Sequence, residues 1–419
     1  MDRKKFLDFT KKYDDLSPEL QAQILKEYTE RINNNNALLE LEADINTARQ
    51  GAADLWKTGF QALDEKLDGG FLGEQLICLG AISSLGKTSF VLQMATQLAE
   101  QGKDVLIFSL EMSRNELNAK TISRYSYILR PEKKYSFGCL ALTTRDVLSG
   151  RIGGVILGEE LQATDAQGKV FVDAFNATKK ISDHIHIFVG ENDISVDDVR
   201  QIAFTHHKAT GNRPFVILDY LQILQRSADA ETTEKRLLTD YDVTRLKVLA
   251  RDLHIPVLVI SAFNRVSYLD PVSMGSFKES SGIEYSSDVL FAMQYEGMDY
   301  QMHEKDITYY DADKNKLSGK INTYENATEH NDRVRNLLRR MDENGAKGLP
   351  LPIELKILKN RNGTKGSIYF SFLPAYNYYE EDEVQIRTAP VNTKTQTSSK
   401  KTSSSVVSSN GVIISGKVR

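Results

Sequence analysis

Apolar and polar positions follow two rhythms along this chain. Short, continuous apolar runs recur at Gln75-Leu-Ile-Cys-Leu-Gly80, Lys103-Asp-Val-Leu-Ile-Phe-Ser109, His184-Ile-His-Ile-Phe-Val189, Pro214-Phe-Val-Ile-Leu-Asp219 and Ile255-Pro-Val-Leu-Val-Ile-Ser261. Longer mixed segments separate them, and two, Ser89–Gln101 and Arg236–Leu253, read as helices. A strand that is apolar throughout is covered on both faces, and helices between such strands supply the cover. The pattern predicts an α/β fold with a mainly parallel central sheet flanked by helices. Leu355–Lys359 and Ser367–Phe372 read as a final strand pair. Their connection, Asn360-Arg-Asn-Gly363, offers an Asn-Gly turn with positive φ.

The flanks differ in composition. Residues 1–55 read as a helical arm that docks on a neighbouring copy, since Leu16–Leu41 is rich in Glu, Leu, Lys and Gln, with a break at Asn33–Asn36. Residues 56–380 form the main domain. Within it, 295–349 is polar and reads as an inserted surface loop with partial helix. Residues 381–419 read as a disordered Ser/Thr-rich tail. After Glu383 the tail is acid-free and carries Arg387, Lys394, Lys400, Lys401, Lys417 and Arg419. It either brushes nucleic acid electrostatically or is simply solvated.

Charge and cysteine content narrow the classes. The 419 residues carry a net charge of -4, so any nucleic-acid site is local rather than global. Cys78 and Cys139 stand far apart, which excludes a disulfide framework and a metal–thiolate site. The opening Met1-Asp-Arg-Lys-Lys-Phe has no apolar segment behind it, and no run reaches membrane-spanning length. A cytoplasmic protein without a membrane partner is expected. His184 and His186 read as polar positions on one sheet face, and His206-His207 as helix surface. Tyr376, Tyr378 and Tyr379 read as packing at the domain edge rather than as base-stacking groups.

The strongest local signal is Gly80-Ala-Ile-Ser-Ser-Leu-Gly-Lys-Thr-Ser89, set between a strand and a helix. This is the context of a phosphate-binding P-loop, with Ala81 where the pattern usually begins with glycine. Gly80, Ala81, Ser83, Ser84, Leu85, Gly86 and Ser89 form the cradle, whose N–H groups face phosphate. Lys87 reaches the β- and γ-phosphates, and Thr88 holds Mg²⁺ through its hydroxyl. Asp219, ending an apolar strand, is the second Mg²⁺ residue. Glu111, just past the strand Val105–Ser109 and next to the P-loop, is the candidate base for the attacking water.

These segments together resemble the C-terminal, RecA-like motor domain of the DnaB family of replicative helicases. The resemblance runs over residues 55–375. It also takes in Thr58-Gly-Phe, Phe108-Ser-Leu-Glu-Met-Ser113, Ile217–Gln222, Val259–Arg265, Lys278–Glu284 and Lys359-Asn-Arg-Asn-Gly363. It implies that Lys87, Thr88 and Asp219 bind ATP with Mg²⁺ and that Glu111 is the catalytic glutamate. It implies that Lys359 and Arg361 are basic fingers serving the neighbouring subunit's γ-phosphate. It further implies that Lys278, Glu279, Ser281 and Gly282 lie in a loop on the single-stranded DNA backbone. The implied partners are single-stranded DNA, further copies of the chain in a six-membered ring, a primase and a helicase loader.

The chain departs from the pattern at Ala262, at Ser281, before the motor and in the long 295–349 insertion. Ala262 replaces a glutamine that helps couple nucleotide to DNA, a task that passes to Asn264. Ser281 replaces a glycine, and only the short arm precedes the motor. Two other readings stand beside this one, the first favoured by Ala262 and the short arm. One is a nucleotide-gated DNA-binding or loader ATPase that does not unwind. The other is a RadA-like recombination ATPase, against which the absence of a zinc-binding cysteine set counts.

Overall fold

The apolar runs become strands close to their expected places. In a computed structural model of the protein, residues 55–382 are described, except 83, 132–139, 157, 159, 191–193, 228–233, 265–267, 278–279 and 311–315. Positions 17, 18, 21, 22, 26 and 45 are described as well. The expected arm apart from those positions, the tail beyond residue 382, and Cys139 lie outside the described residues. The chain divides into a unit of residues 1–385 and a second of 386–419.

The central sheet uses β1 (Leu76–Ala81), β2 (Val105–Ser109), β3 (Ile185–Val189), β4 (Phe215–Asp219), β5 (Val257–Ala262) and β6 (Val289–Tyr295). These six run parallel in the order β6-β1-β5-β4-β2-β3. Beyond β6 the sheet continues with β9 (Leu351–Asn360), β10 (Gly366–Leu373) and β11 (Tyr378–Glu381), each antiparallel to the strand before it. Between β6 and β9 the chain forms a hairpin of β7 (Met302–Tyr310) and β8 (Lys316–Tyr324).

Helices cover both faces of the sheet: α1 (Lys87–Glu100), α2 (Arg114–Leu129), α3 (Ala166–Ile181), α4 (Val196–Thr210) and α5 (Lys235–Leu253). Side chains alternate across β1 with period two. Ile77, Leu79 and Ala81 join the core around Phe60 and Phe90, whereas Leu76 and Cys78 join that formed with α4 and α5. None of the described helices is long and apolar enough to cross a membrane.

Two expectations change. The 295–349 segment is the β7–β8 hairpin followed by the 20-residue helix α7 (Ala327–Ala346), not a loop with partial helix. Asn326 caps α7 in a reciprocal pair with Glu329. Its buried stripe of His330, Val334, Leu337 and Met341 at helical spacing is embedded in an otherwise polar sequence. The β9–β10 connection is not a tight Asn-Gly turn either. Pairing ends at Ile357–Gly366, neither Asn362 nor Gly363 has positive φ, and Asn360 Nδ2 closes the loop on Thr364 O at 3.3 Å. In the sheet, β5 and β4 lie between β1 and β2.

One polar hub ties the inserted helix to the domain. Arg333 bonds both Glu325 oxygens and the carbonyls of Gly297 and Asp299. Glu325 also meets buried His330, which reaches Leu269 O at 3.0 Å. The Arg333 guanidinium holds the Glu325 carboxyl at about 2, below its ordinary value of 4.5. The stability this supplies is complete above pH 4.5 and is lost as pH falls toward 2. Arg333→Ala leaves Glu325 and His330 buried without their cation. We expect a loss of about 3 kcal/mol in chemical denaturation at neutral pH.

Asp242 on α5 shows the opposite case. It is buried beside Asp197, and burial first, then that like charge, raises it from 3.8 to about 7. The unfolded chain gives up this proton more readily than the folded one. Its stability contribution therefore falls as pH rises from 3.8 to 7, and the full cost stands above 7. Asp242→Asn is expected to stabilise the fold by roughly 2 to 4 kcal/mol near pH 8 and by almost nothing below pH 4, read from denaturation at both pH values.

Candidate active site

A cleft of about 530 Å³ opens at the C-terminal ends of the parallel strands, where α/β sheets bind ligands. Lys87, Thr88, Glu111, Lys120, Asp219 and Phe372 are among its lining residues. The sheet order explains the convergence. The chain leaves β1, forms α1, and returns as β2 beyond β5 and β4, with β4 beside it, so that Ser109 pairs with Asp219. Glu111 thus reaches the cleft from a strand that does not touch β1.

The loop from Ile82 to Gly86 joins β1 to α1. Gly80 and Ala81 belong to β1 itself, and Ala81 is buried. Gly80 has no room for a side chain, since a Cβ would lie 2.2 Å from the Phe263 ring. Ser84 and Gly86 have φ of 66° and 78°, and a Cβ on Gly86 would meet Phe372 at 2.6 Å. Ser83 lies outside the described residues. The free N–H groups at the start of α1 face the cleft, an arrangement suited to phosphate.

Lys87 folds back so that Nζ donates to the carbonyls of Ala81 and Ile82, both at 3.1 Å. Burial lowers its pKa, with Asp219 and Glu111 opposing. Thr88 Oγ1 donates to Asp219 Oδ2 at 2.6 Å. Burial raises the Asp219 carboxyl to about 6, against the Thr88 hydrogen bond. A hydroxyl and a carboxylate oxygen side by side are hard oxygen donors and fit Mg²⁺. Glu111 is exposed and makes no hydrogen bond to the described residues, which leaves its carboxylate available to a water.

The sequence reading missed a set of groups from the far end of the chain. Asn377 Oδ1 accepts from Ser89 Oγ at 3.1 Å and from Lys120 Nζ at 2.8 Å. Buried Tyr379 stacks on Phe372 and donates its hydroxyl to Leu85 O at 2.5 Å. Gln93 exchanges two hydrogen bonds with the Tyr379 backbone. The segment after β10 therefore clamps the loop, and the tyrosines serve packing, with Tyr376 stacked on Tyr127. At Ala262, Gln222 supplies the amide: it bonds Ser261 Oγ at 2.8 Å and accepts from Ala262 N at 3.2 Å. Asn264 Nδ2 donates to Phe277 O at 3.1 Å, next to the segment expected to meet DNA.

The remaining expected residues lie elsewhere. Lys359 Nζ donates to Glu284 O at 2.6 Å, while Arg361 pairs with Asp288 Oδ1 and donates to Tyr285 O, each at 3.1 Å. Asp288 accepts from Leu76 N at the start of β1, so both basic residues sit at the edge of the sheet opposite the cleft. They do not reach their own chain's phosphate site. Lys278 and Glu279 lie outside the described residues. Ser281 and Gly282 are helical, in the first turn of α6 (Ser280–Ser286), rather than in a loop. Gly282 packs against α5, where a Cβ would fall 1.9 Å from Asp240 Oδ1. A glycine at this position permits that approach.

The histidines also differ from expectation. His184 closes a 3₁₀ turn, and His206 faces inward onto Asp104 rather than outward to solvent.

A sequence profile of the DnaB-like helicase C terminal domain matches residues 56–148 and 155–381. The replicative DNA helicase DnaB of Helicobacter pylori strain 26695 is 27% identical over 378 residues, covering 87% of this chain and 67% of that protein. The Geobacillus stearothermophilus replicative DNA helicase DnaB is 28% identical over 339 residues, covering 78% and 58%. This chain thus spans about three-fifths to two-thirds of those relatives. Among solved structures, one described as an ATPase domain superposes with a TM-score of 0.58 at 19% identity, covering 83% of this chain and 98% of that one. A DnaB-like replicative helicase, solved in a study of its interactions with primase, gives 0.56 at 18% identity, covering 90% and 75%. At such identities these two similarities establish the RecA-like fold.

Proposed function

This chain belongs to the DnaB-like helicase C-terminal domain family, and from that premise we propose that it is an ATP-hydrolysing motor that moves along single-stranded DNA as a ring of six and separates strands. The observation that carries the reading is the cleft. A phosphate loop, Lys87, the Thr88–Asp219 pair and an exposed Glu111 converge there from three strands. Loop N–H groups and Lys87 hold the phosphates of ATP, and Lys87 exchanges its two carbonyl partners for phosphate oxygens. Thr88 and Asp219 would hold Mg²⁺, which supplies charge neutralisation at the β- and γ-phosphates when bound. Glu111 orients the attacking water and draws off its proton.

Lys359 and Arg361 act on the ATP of the adjacent subunit, where added positive charge stabilises the transferring phosphoryl group. Both bond to carbonyls at the end of α6, and α6 begins at the segment Lys278–Gly282 that takes the DNA backbone. One short helix thus connects the neighbour's phosphate to the strand in the channel. Backbone contacts read no base sequence. A separate primase and a helicase loader are the protein partners that this reading adds.

ATP hydrolysis by the purified chain, with and without single-stranded DNA, and strand displacement on a forked duplex test the proposal. DNA-stimulated hydrolysis with ATP-dependent displacement supports it. Stimulated hydrolysis without displacement favours a gated DNA-binding ATPase instead, and hydrolysis indifferent to DNA overturns both.

A further inference from the structure

A second group of ligand-bearing side chains lies at the opposite end of β2 from Glu111. Asp104 immediately precedes β2, and His186 sits on the neighbouring strand β3, in register with Leu106. Residues 104 and 106 share a face of β2, the face that meets α4. On α4 the buried stripe Val199–Ala203 continues at helical spacing to His206, which therefore points at the same spot.

Asp104 is buried, at 5% exposure. Its Oδ2 lies 3.0 Å from His206 Nε2 and accepts from Asn212 Nδ2 at 2.8 Å, and its Oδ1 lies 2.7 Å from His184 Nδ1. The rings of His186 and His206 stand 5.1 Å apart. His186 makes no hydrogen bond among the described residues, and it lines a surface cleft of about 400 Å³ together with Ser182 and Thr178. One ligand atom from each of Asp104, His186 and His206 lies within 4.8 Å of the other two.

We propose that Asp104, His186 and His206 form a binding site for a divalent transition-metal ion of the Zn²⁺ class. Two imidazoles and a carboxylate are ligands this class accepts, and three protein ligands leave a fourth position for water. Ligand atoms around Zn²⁺ stand roughly 3.3 Å apart, so the His206–Asp104 pair is already at that spacing. A rotation of His186, which breaks no hydrogen bond, closes the rest. His184 and Asn212 hold the carboxylate in place, as partners of a metal-bound carboxylate do. The cleft beside His186 gives the ion a way in. The bound ion would pin the edge strand β3 and helix α4 to β2, away from the nucleotide cleft.

The test uses the full chain, stripped with chelator, with excess Mg²⁺ present to occupy the Thr88–Asp219 pair. Equilibrium dialysis against Zn²⁺, and ligand-field absorbance with Co²⁺, are measured for the wild type, His186→Ala and His303→Ala. His186→Ala removes a ligand without removing a hydrogen bond, and circular dichroism checks that it is folded. His303 is an exposed residue of the β7–β8 hairpin and serves as control. The expected result is a single saturable Zn²⁺ per chain, bound at least about tenfold more weakly by His186→Ala and equally by His303→Ala. No saturable uptake by the wild type, or equal uptake by His186→Ala, overturns the site.

Discussion

Glu111→Gln is expected to lower ATP turnover by about 10² to 10⁴ while leaving nucleotide binding close to wild type. The substitution keeps size and removes only the charge that accepts a proton from water. Glu111 is exposed and makes no hydrogen bond to the described residues, so its loss costs the fold little. Binding rests on other groups: the loop backbone, Lys87 and the Thr88–Asp219 pair. Single-turnover hydrolysis alongside fluorescent-nucleotide titration separates the two effects. A variant that binds ATP normally and still turns it over at the wild-type rate would remove Glu111 from the chemistry.

Arg361→Ala carries the second large effect. Turnover is expected to fall by about 10³ or more in the assembled protein, with ATP binding by each subunit retained. Among the described residues Arg361 pairs with Asp288 and donates to a carbonyl, and Lys247 remains paired with Asp288 at 2.7 Å after the substitution. The fold is therefore expected to persist, with a thermal midpoint near wild type. Arg361→Lys keeps the charge but loses the planar fork, and it should recover only part of the rate. A stable Arg361→Ala ring with undiminished turnover would make this side chain merely an anchor for α6.

Five of the six parallel strands were legible, because burial leaves continuous apolar runs such as Val257–Ser261, whereas β6, equally buried, was not read as a strand, and the edge strand β3 is only half-buried. The phosphate loop was legible for a related reason: backbone geometry there demands particular residues at fixed spacing. Groups that meet only through the tertiary fold were not. Asn377 meets Ser89 across 288 residues and Tyr379 meets Leu85 across 294, and no local pattern reports such contacts. The β7–β8 hairpin was hidden because its described side chains are largely exposed, so the alternation that marks a half-buried strand is absent among them. In α7 the stripe from His330 to Met341 was masked by surrounding Asn, Asp and Arg. The histidines misled because alternation on a strand does not say what packs over it. Only the placement of α4 brings His206 to Asp104.

The separation of Arg361 from its own cleft is the feature on which the ring account turns. A head-to-tail ring would bring the basic edge of one copy to the phosphate cleft of the next. Each interface then needs Glu111 from one subunit and Arg361 from the other. Mixing Glu111→Gln with Arg361→Ala protein, each nearly inactive alone, tests this most directly. In a random equal mixture roughly a quarter of the interfaces regain both groups, and hydrolysis should rise well above the sum of the separate variants. A mixture that assembles into rings yet hydrolyses ATP no faster than that sum would contradict active sites shared between subunits.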